Sequence, residues 1–137
     1  MIKELDINNV DKVINLGLKL NSNYSNLYDY ESLNSGVNKT YTILDNNNII
    51  GFIHIQDLID EVDIIDIVID EKYRRKGYGK SLINYIFDFY KDKKVILEVS
   101  VDNEAAVNLY KSLNFSVINV RKGYYNGTDA LVMEKKW

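Results

Sequence analysis

Apolar and polar residues alternate from Ile2 to Ile7, which predicts a short strand. The spacing then lengthens to that of a helix. Val13, Leu16 and Leu20, flanked by Val10, Ile14 and Gly17, share one face, and Asn8 or Asn9 stands where a cap belongs. Asn21 to Asn26 is a polar break, Leu27 to Leu33 predicts a second short helix, and residues 34–38 form a loop. Thr40 to Leu44 and Ile49 to Gln56 are strands on either side of Asp45-Asn46-Asn47-Asn48, a hairpin turn. Val62 to Asp70 is a longer, largely apolar strand. A helix from Lys80 to Tyr90 follows, burying Leu82, Ile83, Ile86, Phe87 and Tyr90. Val95 to Val101 is a strand, Asn103 to Leu113 a helix, and Val117 to Arg121 and Ala130 to Lys135 are two last strands around Gly123 to Asp129. Strands run first as hairpins and then alternate with helices. That order predicts a mixed α/β (α+β) sheet covered by helices on both faces, within one unit spanning residues 1–137.

Bulk properties narrow the function. The 137 residues, 46% hydrophobic and 27% charged, suit one ordinary globular domain. The absence of cysteine excludes disulfides, thiolate metal sites and a cysteine nucleophile, and one histidine leaves no histidine-rich metal site. No apolar run approaches the roughly 18 residues of a membrane helix, and the first residues do not form a signal peptide, so a cytoplasmic protein without membrane partners is expected. A pI near 5.2 argues against a dedicated nucleic-acid binder. The charge is uneven, however. Residues 1–71 carry 4 Lys against 13 acidic residues, a balance of −9, and residues 72–137 carry a balance of +6. Such a chain suits a cationic ligand on one side and a polyanion on the other, unless folding mixes the halves. The richness in Asn, Ile, Lys and Tyr, without proline, is a compositional bias, so single asparagines carry little weight.

The stretch Arg74-Arg75-Lys76-Gly77-Tyr78-Gly79-Lys80 lies between a strand and a helix. Backbone N–H groups and the positive end of a helix favour an anion there, and the glycines let the main chain come close to it. The end of this stretch, Gly79-Lys80-Ser81, matches the end of a nucleotide-binding P-loop. The position that must be glycine in that motif is Arg74, which argues against nucleotide hydrolysis. Glu98 alternates with Leu97 and Val99 and so faces away from them. A carboxylate in an apolar strand suits a general base near neutral pH, but from the strand pattern alone an ion-paired strand glutamate is the first reading. Asn103, Ala106 and Tyr110 share one helix face, where Tyr110 is either a proton donor or a core residue. His54, between Ile53 and Ile55, reads as a hydrogen-bonded structural histidine.

Together these pieces resemble the GNAT superfamily of acetyl-CoA-dependent N-acetyltransferases. Arg74 to Gly79 fits that family's Q/R-x-x-G-x-G/A signature. The run Leu97-Glu98-Val99, Asn103 to Ala106 and Leu109 to Phe115 is similar to the second half of its core. Arg121 to Tyr125 and Asp129 to Met133 resemble its RimI branch, which acetylates the N-terminal alanine of a small-subunit ribosomal protein. The likeness is specific from about Ile64 onward and loose before it.

The resemblance implies a GNAT fold, with a mostly antiparallel sheet of about six to seven strands, and acetyl-CoA as co-substrate without a metal. It implies that the backbone of Ile67, Val68 and Ile69 pairs with the pantetheine arm. Arg74, Arg75, Lys76, Gly77, Tyr78, Gly79 and Lys80 would hold the pyrophosphate, and Asn103 would bond the pantetheine. Glu98 would be the base, acting directly or through water, and Tyr110 the acid that protonates the departing thiolate. Tyr124 and Tyr125 would line the acceptor groove. Direct transfer needs no covalent enzyme intermediate, in keeping with a chain that lacks cysteine. Three departures stand out. Asn114 replaces the usual glycine before Phe115, Ser22-Asn23-Tyr24-Ser25 replaces a Phe-Pro-Trp-like segment, and residues 125–129 are short, with a tight turn at Asn126-Gly127. The last two fall where an acceptor peptide lies, so the acceptor is less defined than the donor. A protein N-terminal amine heads the expectations. A polyamine, free amino acid or aminoglycoside follows, and then a non-catalytic coenzyme-binding module. The acidic positions Asp57, Asp60, Glu61, Asp63 and Asp66 fit any cationic acceptor.

Overall fold

The computed structural model describes residues 1–19, 29–125 and 127–137. The expected first strand is short. β1 (Ile2–Glu4) ends early because the Asp6 side chain accepts the Asn8 N–H at 2.9 Å and turns the chain into a 3₁₀ turn at Ile7–Asn9. Helix α1 (Val10–Leu18) follows. Asn9 holds its cap position but makes no side-chain cap bond. The expected break at Asn21 to Asn26, Leu20 and the replacement at Ser22–Ser25 lie outside the described residues. So does the start of the second helix, which is described as α2 (Tyr30–Asn34), capped reciprocally by Asp29 and Ser32.

The hairpin of β2 (Asn38–Asp45) and β3 (Asn48–Asp57) turns on two asparagines. Asn46 and Asn47 have φ of 50° and 66°, the left-handed pair that a two-residue turn between twisted strands needs. β4 (Glu61–Ile69) continues the antiparallel order. Helix α3 (Tyr78–Phe89) starts two residues earlier than its apolar pattern, because Gly77 supplies a left-handed cap with φ of 87°. Then come β5 (Lys94–Ser100), α4 (Glu104–Ser112), β6 (Phe115–Tyr125) and β7 (Thr128–Lys135). β6 is longer than its apolar run on both sides. Asn114 takes a φ of 67°, so the helix-end turn expected of glycine there is formed by asparagine.

The seven strands form one sheet in the order β1-β2-β3-β4-β5-β7-β6. All pairs are antiparallel except β4 with β5, which is parallel. The expected mixed sheet with helices on both faces is therefore present. On one face α3 and α4 bury Leu82, Ile83, Ile86, Phe87 and Val107 against Ile53, Ile55, Val62, Ile64, Val95, Leu97 and Met133. On the other, α1 and α2 bury Val13, Leu16 and Leu33 against Phe52 and Val68. α1 and α2 contact β2, β3 and β4, so the β5–β7–β6 part of that face is left uncovered by any helix among the described residues.

Gly51 sets how closely β3 and β4 approach at the end where β4 carries its candidate ligand edge. It is paired with Ile69, and an added Cβ would lie 2.6 Å from Ile69 Cδ1 and 2.7 Å from Val68 O. The second contact is with backbone and cannot be relieved by a rotamer change. Gly51→Ala should therefore lower the unfolding free energy by about 2 kcal/mol, read as a lower midpoint in urea at unchanged slope.

Candidate acyl-transfer site

The parallel pairing of β4 with β5 runs only from Glu61↔Lys94 to Ile64↔Leu97. It stops at a bulge. In the register with β3, Ile64 lies opposite Ile55 and Asp66 opposite His54, which leaves Ile65 as an extra residue. Beyond Ile65 the two strands part while β4 remains paired with β3. The Asp70 N–H donates to Ile50 O at 2.7 Å, so by antiparallel alternation Val68 and Asp66 also turn their backbone groups toward β3. Ile67 and Ile69 turn theirs to the open side. Of the three residues expected to pair with an extended ligand, Ile67 and Ile69 thus offer an edge. Val68 does not, since its backbone faces β3 and its side chain is buried under α1.

The basic loop lies at the far end of this open edge. Arg75 has a φ of 62° and Gly77 a φ of 87°, and the first helical bond of α3 runs from the Ser81 N–H to Gly77 O at 3.0 Å. The N–H groups of Tyr78, Gly79 and Lys80 thus precede the helical ladder at its positive end, a ready anion site. Nothing lies within 4 Å of a Cβ built at Gly77, so space for a ligand is present against the main chain. The Arg74 Nε donates to Ile69 O at 3.1 Å, which ties the loop to the open strand. The Lys76 ammonium sits over the Tyr73 ring. Arg74, Arg75, Lys76 and Lys80 form no ion pair among the described residues, so their charge is directed outward. An edge for an extended amide-bearing arm, continuous with a polyphosphate site, fits coenzyme A. The donor atoms needed are backbone groups and cations that this chain supplies.

Where the strands part, a groove of about 300 Å³ is lined by Asp63, Ile64, Ile65, Ile96, Leu97, Glu98 and Tyr124. Glu98 faces it, opposite in direction to the buried Leu97 and Val99. Of the two readings of the sequence, its surroundings are those of an ion-paired strand glutamate. The Arg121 Nη1 donates to Glu98 Oε1 at 2.7 Å, and the Tyr124 ring covers that guanidinium at 4.6 Å. Asp63 shares the groove, directly opposite Ile96 and on the same face as Glu98. Its Oδ1 is buried with no hydrogen-bond partner. Burial, a side-chain hydrogen bond to Glu61 and the charges of Glu61 and Glu98 push its carboxyl up to about 7. Burial alone pushes Asp66 up to about 6 and holds His54 down to about 4. His54 is therefore neutral at pH 7, and its Nε2 lies 3.0 Å from Asn38 Oδ1, a structural position.

The other expected site residues are placed as follows. Asn103 caps α4, its Oδ1 accepting the Ala106 N–H at 3.2 Å, and is exposed at the end of β5. Tyr110 lies on α4, half-buried, with its ring edge-on to Phe115 at 5.8 Å. Tyr124 is in the groove, and Tyr125 closes β6. Asp129 fixes this end of the groove by accepting the Gly123 N–H at 3.0 Å and the Lys122 Nζ at 3.3 Å. From the sequence Asp63 stands out only as one of five acidic positions that fit a cationic acceptor, and Arg121 not as a site residue at all. Asp63 was legible as a carboxylate alternating with Val62 and Ile64, but Arg121 reaches Glu98 across β7 through a bulged register that no local pattern encodes.

An open strand edge, a basic helix start and an acidic groove meet at one strand divergence, an arrangement suited to transfer from an acyl carrier. The sequence pattern of the Acetyltransferase (GNAT) family matches residues 10–115, and the chain belongs to that family. The ribosomal protein bS18-alanine N-acetyltransferase of Escherichia coli K12 is 33% identical over 92 residues, 65% of this chain and 62% of that protein. The match thus spans less than two thirds of that relative's length. The crystal structure of the ribosomal-protein-S18-alanine N-acetyltransferase from Escherichia coli superposes with a TM-score of 0.87 at 23% identity, covering 98% of this chain and 92% of that one. A putative streptothricin acetyltransferase from Bacillus anthracis in complex with acetyl coenzyme A does so with a TM-score of 0.83 at 24% identity, over 100% and 99%. Both share the fold.

The raised carboxyl of Asp63 has a consequence for stability that is independent of substrate. The folded protein keeps this proton as pH rises from about 4 to about 7, while the unfolded chain has lost it, so the contribution of Asp63 to stability falls across that window and stays low above it. Asp63→Asn removes the titration. The variant should match the wild type near pH 4 and melt several degrees higher at pH 8, as measured by calorimetry in matched buffers.

Proposed function

We propose that the 137 residues act as one domain that transfers the acetyl group of acetyl-CoA to a primary amine in the cytoplasm, with a protein N-terminal α-amine as acceptor. The observation that carries this reading is the divergence of β4 from β5, which places an open strand edge, the Arg74–Lys80 loop and an acidic groove in series. The order matches a thioester donor with a phosphate-bearing tail approached from its acyl end by a cation. Ile67 and Ile69 pair with the pantetheine arm, Arg74 to Lys80 take the pyrophosphate, and Asn103 bonds the arm from the start of α4.

An α-amine has an ordinary pKa of about 8 and arrives mostly protonated. The carboxylates Glu61, Asp63 and Glu98 attract it, and Asp63 and Glu98 line the groove with Tyr124. Loss of a proton frees the nitrogen lone pair to attack the thioester carbon. A backbone N–H of the parted strand serves the oxyanion, and Tyr110 protonates the thiolate as it leaves. A ribosomal-protein N-terminus is the favoured acceptor, because the similarity to the Escherichia coli ribosomal protein bS18-alanine N-acetyltransferase is a similarity of sequence and of fold. The acidic groove favours a second reading, a small polyamine. A panel of acceptors separates the two.

The protein should release free coenzyme A from acetyl-CoA with an Ala-starting peptide and less readily with spermidine. Glu98→Gln should lower kcat/KM at least tenfold and Tyr110→Phe should lower kcat by a similar factor, both measured by thiol release. Coenzyme binding without turnover of any amine would identify a binding module instead.

A further inference from the structure

We infer that Asp63 is the residue that takes the proton from the incoming amine, and that Glu98, bonded to Arg121, holds the cation in place. The inference rests on the acetyl-transfer reading above and divides its proton chemistry between two carboxylates that line one groove. Their surroundings differ. Glu98 Oε1 accepts a charge-assisted bond from Arg121, whose guanidinium is covered by the Tyr124 ring, so this carboxylate is already engaged and positioned as an anchor. Asp63 Oδ1 is buried with no hydrogen-bond partner, so its charged form is stripped of water there without a donor in return.

The groups around Asp63 reinforce the division. Glu61 precedes it on β4 and hydrogen-bonds it, and Glu98 faces it from β5. From β3 comes Gln56, which carries no charge, with neutral His54 further along beside Asp66. On β7 Glu134 lies opposite Ile96 and pairs with Lys136 at 3.6 Å, and Arg121 and Tyr124 close the groove from β6. Carboxylates outnumber cations here, and of the two that line the groove Asp63 is the one with no ion pair among the described residues. Its carboxyl, pushed up to about 7, is matched to an α-amine of about 8 far better than an ordinary carboxylate would be.

The step balances. The ammonium gives one proton to the Asp63 carboxylate, and the nitrogen lone pair forms the C–N bond to the thioester carbon. The tetrahedral adduct collapses with cleavage of the C–S bond, and the thiolate takes the Tyr110 hydroxyl proton. Tyr110 recovers a proton from the new amide nitrogen, and Asp63 releases its own to solvent once the groove reopens.

Steady-state kinetics with an Ala-starting peptide, from pH 6 to 9, tests the assignment on wild type, Asp63→Asn, Asp63→Glu and Glu98→Gln. Asp63→Asn should lower kcat about 100-fold with the acceptor KM little changed and flatten the rise of kcat with pH, and Asp63→Glu should restore part of the rate. Glu98→Gln should act mainly on the acceptor KM. A carboxyl-carbon NMR titration of the wild type, which needs no turnover, should show Asp63 titrating near neutrality. Asp63→Asn with kcat within twofold of wild type, or an Asp63 signal titrating near 4, would overturn the assignment and leave the transferase reading intact. A wild type that acetylates no amine would overturn both.

Discussion

Everything at this site depends on one broken pairing. β4 and β5 are hydrogen-bonded for four residues and then part at the Ile65 bulge, although each keeps its other neighbour, β3 and β7 respectively. A sheet with unpaired backbone groups in its middle is ordinarily unfavourable, since each such group should have a partner. The arrangement is stable because Arg74 serves the Ile69 carbonyl and the opening faces solvent, where water can serve Ile67 and the Ile69 N–H. An extended ligand with its own donors and acceptors can replace that water with little rearrangement of the protein. Gly51 and Ile69, pressed together on the β3 side, keep β4 aligned while its other edge is open.

The charge distribution follows from the same opening. Folding does mix the acidic and basic halves in places, as where Lys93 pairs with Asp57. Around the divergence the segregation persists. Arg74, Arg75, Lys76 and Lys80 gather at the helix start, and Glu61, Asp63 and Glu98 gather where the strands part, with Arg121 as the cation paired there among the described residues. A polyanion and a cation can therefore approach one cleft from its two ends without competing for the same groups. The ion pair with Arg121 also sets Glu98 apart from Asp63, whose Oδ1 has no partner.

Much of this was legible in the sequence because it is local. The Asn46-Asn47 turn, the buried faces of α3 and α4, and the outward direction of Glu98 all follow from residue type and period within a few positions. The loop at Arg74–Lys80 was legible because glycines between a strand and a helix have few uses. What was not legible depends on register. The Ile65 bulge, the inward turn of the Val68 backbone and the reach of Arg121 to Glu98 are set by how distant strands align, and a one-residue shift would reverse each of them. Asp63 fell between the two cases. Its position facing away from the core was readable, but its missing partner was not, because that depends on which side chains come from β3, β5 and β6.

The central claim is that the parted edge of β4 is where the coenzyme arm lies. Residue-resolved amide hydrogen exchange by NMR, with and without saturating acetyl-CoA, tests it most directly. Exchange should slow at Ile67 and Ile69 and at Tyr78, Gly79 and Lys80, with Val68, already bonded to β3, unchanged. Slowing confined to Tyr78–Lys80, with Ile67 and Ile69 exchanging as before, would show that the coenzyme is held by its phosphates alone and would contradict the account.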